Sequence, residues 1–272
     1  MTGELRDGPL VSEIEVDGLQ GQVFASRRPR ETPADATVPA APAVVLIHGI
    51  GVSHRYLARL HRLLSRSVDT YSIDLPGFGS TPRPEHQLTV PDYAAYILGA
   101  LAQVGVHEFV LVGHSMGSQF AIEAALQEPE RIRHVVLMGP VVDSRRRSVP
   151  RQALALGIDS LFFETPSSNF LVASDYFRCG LSWYLKTLQV MMDYPTEERI
   201  PGVRAPVLVI RGANDPVAGA IWCRRLAARA AGGRLLEVPN NGHVVQHTGA
   251  GEVAQAITSF ASLPAGAPEL QP

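Results

Sequence analysis

The chain has only two cysteines in 272 residues, Cys179 and Cys223, which stand alone rather than in a C-x-x-C spacing. Two such residues cannot make a disulfide framework or a cysteine-based zinc site, so they read as buried apolar fillers or free thiols. An excess of charge of either sign is also missing. Lys and Arg number 24 against 26 Asp and Glu, a formal net charge of -2. The basic footprint of a nucleic-acid binder is therefore absent, and a small molecule is the expected partner. No stretch approaches the roughly 18 consecutive apolar residues of a membrane span. The opening residues MTGELRDGPL carry both charge signs and no apolar leader core, so the expectation is a cytoplasmic protein with no membrane partner, monomer or homodimer.

What is present is core-forming material. Hydrophobic residues make up 46% and charged residues 18%, too apolar for a disordered chain and enough for one large domain. Two strand-like runs, 10–16 and 20–26, flank the hairpin signal Asp17-Gly18. A Pro-, Ala- and Thr-rich stretch at 28–42 reads as an exposed loop. Beyond it, strand candidates at 43–47, 69–73, 109–112, 134–138, 207–211 and 234–238 alternate with helical patterns at 55–66, 92–104, 116–128, 217–231 and 252–263. That alternation predicts an α/β fold, a mostly parallel eight-stranded sheet with helices on both faces.

Residues 140–201 break the alternation: about 60 residues without a strand stand where a link of about 2–6 is usual. The segment opens with Arg145-Arg146-Arg147, read as a solvated turn, and contains Phe162-Phe163, Phe170, Tyr176-Phe177, Trp183-Tyr184 and Met191-Met192. It reads as an amphipathic helical cap over a core made of 1–139 and 202–272.

The chemistry-bearing motif is Gly113-His114-Ser115-Met116-Gly117, set between the apolar run Phe109-Val110-Leu111-Val112 and a helix. A sharp strand-to-helix turn strains the central residue, and glycines two positions either side keep neighbouring backbone from clashing. Ser115 is thereby presented at the sheet edge, where the helix N-terminus and a general base can activate its hydroxyl.

With this motif in its context the chain resembles the α/β-hydrolase family. Val44-Val45-Leu46-Ile47-His48-Gly49-Ile50-Gly51 is similar to the family's strand and His-Gly oxyanion segment, and Asp74-Leu75-Pro76-Gly77-Phe78-Gly79-Ser80 to its D-x-P-G-x-G-x-S turn. The resemblance runs from about Val44 to Phe260 and implies a Ser, Asp, His triad in that chain order. It implies His243, after the last strand in Asn240-Asn241-Gly242-His243, as the base, with His247 the rival. It implies Asp215, in Gly212-Ala213-Asn214-Asp215-Pro216-Val217, as the orienting acid, with Asp143 the alternative used by some relatives. The oxyanion donors would be the backbone amides of Ile50 and Met116, with Gly51 as the alternative to Ile50. His48 and His114 read as structural, and His54, His61, His86, His107 and His134 show no metal-ligand spacing.

Relatives that open epoxides or displace halide carry Asp where this chain has Ser115, which disfavours both reactions. Gly77-Phe78-Gly79 lacks the third glycine of a dinucleotide fingerprint, so no cofactor is expected. The expected function is a serine hydrolase of a small, apolar ester or lactone. Two alternatives keep the triad: C–C hydrolysis of a ring-cleavage dione, for which Ser118 departs from the glycine usual in such relatives, and acyl transfer. A third reading, from another class, is a hydrolase-fold receptor with little turnover.

Overall fold

The structure is a computed structural model that describes residues 8–28, 42–146, 148, 150, 159 and 165–262. The loop expected at 28–42 falls almost wholly outside these residues, as do Arg147 and the Phe162-Phe163 pair.

Strands β1 (Leu10–Val16) and β2 (Leu19–Ser26) form an antiparallel hairpin. Its two turn residues, Asp17 and Gly18, have φ of 50° and 77°, the left-handed pair that matches a tight hairpin to strand twist. β2 lies antiparallel to β4 (Thr70–Asp74). The other strands, β3 (Ala43–Ile47), β5 (Phe109–His114), β6 (Ile132–Met138), β7 (Val207–Gly212) and β8 (Arg234–Val238), run parallel, giving the order β1-β2-β4-β3-β5-β6-β7-β8.

Both faces of this sheet are covered, which explains why its central strands are apolar throughout rather than alternating. Val44, Leu46, Val110 and Val112 point to one cluster with helices α1 (His54–Leu64) and α9 (Ala250–Ala261). Their alternates Val45, Ile47 and Leu111 join the other cluster with α2 (Val90–Gln103), α3 (Gly117–Gln127) and α7 (Ala220–Arg229). Three helix starts differ from the sequence expectation by two residues or more: α9 begins at Ala250 rather than 252, and the other two have a local reason. α2 begins at Val90 rather than 92, because Thr89 and Asp92 close a capping box one residue before it. α7 begins at Ala220 rather than 217, because the amides of Val217 and Ala218 donate to the Asp215 carboxylate instead of entering a helix.

Between β6 and β7 the described residues are helical: a 3₁₀ turn at Ser144–Arg146, α4 (Pro166–Cys179), α5 (Leu181–Asp193), α6 (Thr196–Arg199) and a second 3₁₀ turn at Ile200–Gly202. Buried acids fasten them to the core. Asp175 of α4 accepts from Ser53 Oγ (2.7 Å) and Arg55 Nη1 (2.8 Å) at the start of α1. Glu123 of α3 accepts from Tyr194 Oη and Arg199 Nη2, both at 2.9 Å. Removing the arginine of either set would leave a buried carboxylate without its cation, a cost of up to about 3–5 kcal/mol. The aromatic side chains here do not all turn inward: Trp183 is buried, but Phe170 is 71% and Phe177 90% exposed. After β8 the described residues form the short α8 (Val245–Thr248) and then α9. Among the described residues no helix is long and apolar enough to cross a membrane.

Candidate active site

Ser115 stands between the end of β5 and the start of α3 with φ of 54°, a left-handed conformation that a non-glycine residue adopts only when its surroundings impose it. The neighbouring backbone imposes it here. A Cβ on Gly117 would sit 2.6 Å from the carbonyl oxygens of both Ile47 and His48, and one on Gly113 2.1 Å from the Gly117 oxygen. The turn can therefore be this tight only with glycine at both places. The Ser115 amide donates to Met138 O across the strand ends (2.8 Å), and the Ser118 hydroxyl closes back on Gly113 O (3.0 Å).

Asp215 and His243 are brought together by the loops after β7 and β8. His243 Nδ1 lies 2.9 Å from Asp215 Oδ2, while Asp215 Oδ1 accepts the amides of Val217 (2.8 Å) and Ala218 (2.9 Å). Burial alone would favour the neutral acid. The His243 charge and these hydrogen bonds outweigh it and hold the Asp215 pKa below the ordinary carboxylate value. Arg211, itself buried, secures the loop by donating to Asp215 O (3.1 Å) and Ala218 O (2.8 Å) while pairing with Glu237 (3.0 Å).

His243 is also held through its main chain. Its N–H donates to Asp159 Oδ1 (2.7 Å), and its carbonyl faces His114 Nε2 at 2.9 Å. The two alternatives weighed for the triad lie elsewhere. Asp143 pairs with Arg225 (2.8 Å) on α7, and His247, on α8, has its Nε2 3.3 Å from Ser167 Oγ.

Ser115 and His243 line one cavity of about 240 Å³ together with Gly49, Ile50, Val52, Tyr56, His114 and, from the segment between β6 and β7, Asp159, Asn169, Val172, Tyr176 and Met191. No Lys or Arg lines it among the described residues. Ile50 lines this cavity, and Met116, next to Ser115, is buried. The amides flanking Ile50 and Met116 are engaged elsewhere: Gly49 N–H donates to Tyr56 Oη (2.9 Å), Ser115 N–H to Met138 O. Among the described residues no group of three His, Cys, Asp or Glu could hold a metal ion.

The buried His48, His61 and His114 are neutral members of hydrogen-bond networks. Burial pushes the pKa of His114 down to about 3, and that of His61, set between Ser72 Oγ (2.7 Å) and Ser26 Oγ (3.0 Å), down to about 4. A histidine free in the unfolded chain binds its proton near pH 6.5, so below that pH the unfolded state takes up protons that the fold refuses. Stability is therefore fully present above about pH 6.5 and falls by about 1.4 kcal/mol per pH unit for each histidine as pH drops toward 4. Urea titrations at pH 7 and 5 should show the loss, and His61→Gln should flatten it; equal midpoints at both pH values would contradict this account.

Comparison with known proteins follows the same geometry. A family model described as the alpha/beta hydrolase family matches residues 44–256. The chain belongs to the alpha/beta hydrolase family. Among its curated relatives in that family is a Klebsiella pneumoniae (strain 342) protein provisionally named carbamate hydrolase RutD, 26% identical over 239 residues that cover 80% of this chain and 90% of that one. Another is the (E)-2-((N-methylformamido)methylene)succinate hydrolase of Acinetobacter baylyi, 23% identical over 235 residues covering 80% and 89%. The crystal structure of the enol-lactonase from Burkholderia xenovorans LB400 superposes with a TM-score of 0.78 over 93% of this chain and 100% of that one, at 20% identity, a likeness of fold. The two relatives and the structural neighbour named here are hydrolases.

Four residues of the site carry no sequence signal strong enough to single them out. Tyr56 reads as a core aromatic of an amphipathic helix, Arg211 as a strand-end cation, and Asp159 and Asn169 as polar positions of the helical segment at 140–201. Packing of distant segments brings Tyr56, Asp159 and Asn169 to the cavity, while Arg211 braces the Asp215 loop from its own strand end.

Proposed function

We propose that this hydrolase cleaves a small, uncharged, apolar ester or lactone through an acyl-enzyme on Ser115. The reading rests chiefly on one observation: a strained, glycine-bracketed serine shares a cavity with a histidine whose Nδ1 is held by a buried, ionised aspartate. His243 accepts the Ser115 proton as the oxygen attacks the carbonyl, and returns it to the leaving alkoxide. Asp215 holds the Nδ1–H tautomer and stabilises the imidazolium. The amides of Ile50 and Met116 receive the oxyanion, each worth roughly 3–4 kcal/mol to the transition state. Water activated by the same histidine then frees the acid and regenerates Ser115.

Residues 140–201 act in this reading as a cap that supplies the apolar lining Val141, Val172, Tyr176 and Met191, alongside Ile50 and Val52 of the core. The chemical class follows from that lining. A substrate carboxylate would meet no cation among the described lining residues and would lie near Asp159, so neutral esters and lactones fit better than the carboxylated diones of C–C hydrolysis. The two buried, unpaired thiols, Cys179 and Cys223, suit work in a reducing cytoplasm.

The test is competitive labelling by a fluorophosphonate probe in the presence of esters, lactones and dienoate diones. Labelling of Ser115 that neutral apolar esters or lactones slow, with their turnover, is the expected result. Selective protection by the dione would favour C–C hydrolysis, and an unlabelled Ser115 with tight ligand binding would favour a receptor.

A further inference from the structure

A chain of buried polar groups links the segments on which the proposed mechanism depends. Gly49 N–H donates to Tyr56 Oη at 2.9 Å, Tyr56 Oη lies 2.5 Å from His114 Nδ1, and His114 Nε2 lies 2.9 Å from the His243 carbonyl. Tyr56 and His114 are 3% and 2% exposed.

The hydrogens in this chain can be assigned by elimination. A carbonyl oxygen only accepts, so His114 Nε2 carries a hydrogen. Burial keeps His114 neutral, which leaves Nδ1 bare and able only to accept. Tyr56 must then donate to it, and its oxygen is free to take the Gly49 hydrogen. Every donor in the sequence Gly49, Tyr56, His114, His243 has one acceptor, and no other arrangement satisfies all four groups. A proton added to Nδ1 would oppose the Tyr56 hydroxyl and put a second positive ring 4.9 Å from His243 as it becomes an imidazolium.

The geometry points to Tyr56 and His114 as positioning residues that keep the oxyanion segment, the nucleophile's strand and the loop of the base in mutual register. This rests on the acyl-enzyme reading above. Gly49 immediately precedes the proposed oxyanion donor Ile50, His114 immediately precedes Ser115, and the chain ends on the backbone of His243 itself. His48 completes the arrangement at the first of these points. Its Nδ1 donates to Gly49 O (2.8 Å) while its Nε2 accepts from Leu75 N (3.2 Å). Since the Gly49 carbonyl and the Ile50 N–H belong to one planar peptide and point opposite ways, holding the carbonyl aims the amide. Displacements of about 1 Å in such groups cost on the order of 10²-fold in rate, so a relay that fixes three of them bears on turnover more than on binding.

Tyr56→Phe deletes one hydroxyl with little change of shape, and His114→Gln retains a donor while altering the acceptor. With p-nitrophenyl butyrate, Tyr56→Phe is expected to lower kcat at least about 10-fold with KM within about twofold, and the rate of Ser115 labelling should fall in parallel. The double variant with His114→Gln should be no slower than the worse single variant, because both break one chain. Nitrogen-15 spectra of the wild-type imidazoles should show His114 as the neutral Nε2–H tautomer. A kcat for Tyr56→Phe within about twofold of wild type, even with a lowered melting temperature, would overturn the proposal, as would losses that multiply in the double variant or an Nδ1–H tautomer. A wild-type protein that is neither labelled nor active would instead defeat the acyl-enzyme reading, and the tautomer measurement would still decide the relay.

Discussion

Ser115→Ala is expected to reduce turnover of p-nitrophenyl butyrate by at least about 10⁴-fold and to leave the melting temperature within about 2 °C of wild type. The hydroxyl is the only group in the cavity positioned at a strained strand-to-helix turn, and no water can replace it as the atom that forms the acyl bond. What persists is the contribution of the oxyanion amides and of binding, which in triad hydrolases of other folds leaves on the order of 10³-fold acceleration over water. The fold should not notice the change. Ser115 makes its strand-end contact through its amide to Met138 O rather than through its side chain, and alanine at φ of 54° is strained to about the same degree as serine. Fluorophosphonate labelling should vanish with turnover; an alanine variant that keeps its activity would remove Ser115 from the mechanism altogether.

Asp215→Asn should be nearly as damaging, with kcat lowered about 10³–10⁴-fold and KM little changed. The two amides of Val217 and Ala218 donate to Oδ1, and they would hold the asparagine oxygen in that place. Its NH₂ group is then left facing His243 Nδ1, which must become the acceptor. The imidazole hydrogen moves to Nε2, where the lone pair that should take the Ser115 proton is lost. Asp143→Asn provides the contrast. That carboxylate pairs with Arg225 and should affect stability by about 1–3 kcal/mol while leaving kcat within about twofold. Measured side by side under steady-state conditions, the two variants separate the acid that orients His243 from the one its position in the chain also allowed; similar losses in both would contradict the assignment.

How much of this was legible in the sequence depended on how local its cause is. The strands declare themselves because each is a continuous apolar run between turn residues, and the elbow at Ser115 because its glycines answer clashes within a few residues or with one neighbouring strand. Helix starts were less accurate where a side chain fixes the local backbone: the Asp215 carboxylate holds the amides of Val217 and Ala218, and the helix opens only at Ala220. Tyr56, His114 as a link rather than a neighbour, Arg211 and Asp159 depend on segments up to 129 residues apart, as in the bond from His114 to His243. The segment between β6 and β7 was readable as helical and amphipathic, but not which of its aromatics turn inward. Phe177 and Tyr176 are adjacent in the chain, and only the second lines the cavity.

The pairing of β6 with β7, which sets Val135 beside Val207, bears on how such a molecule can change its diet over time. Closing a longer loop costs only about 0.6 kcal/mol for each doubling of its length, so stretching a parallel crossover from about a dozen residues to about sixty costs roughly 1.4 kcal/mol. The strand ends that present Ser115, Asp215 and His243 are joined by ladder hydrogen bonds that are indifferent to what is spliced between them. A lineage can thus exchange the material at 140–201, provided Glu123 finds a new cationic partner and the His243 N–H a new acceptor in place of Asp159, while the strand ends that carry Ser115, Asp215 and His243 keep their places.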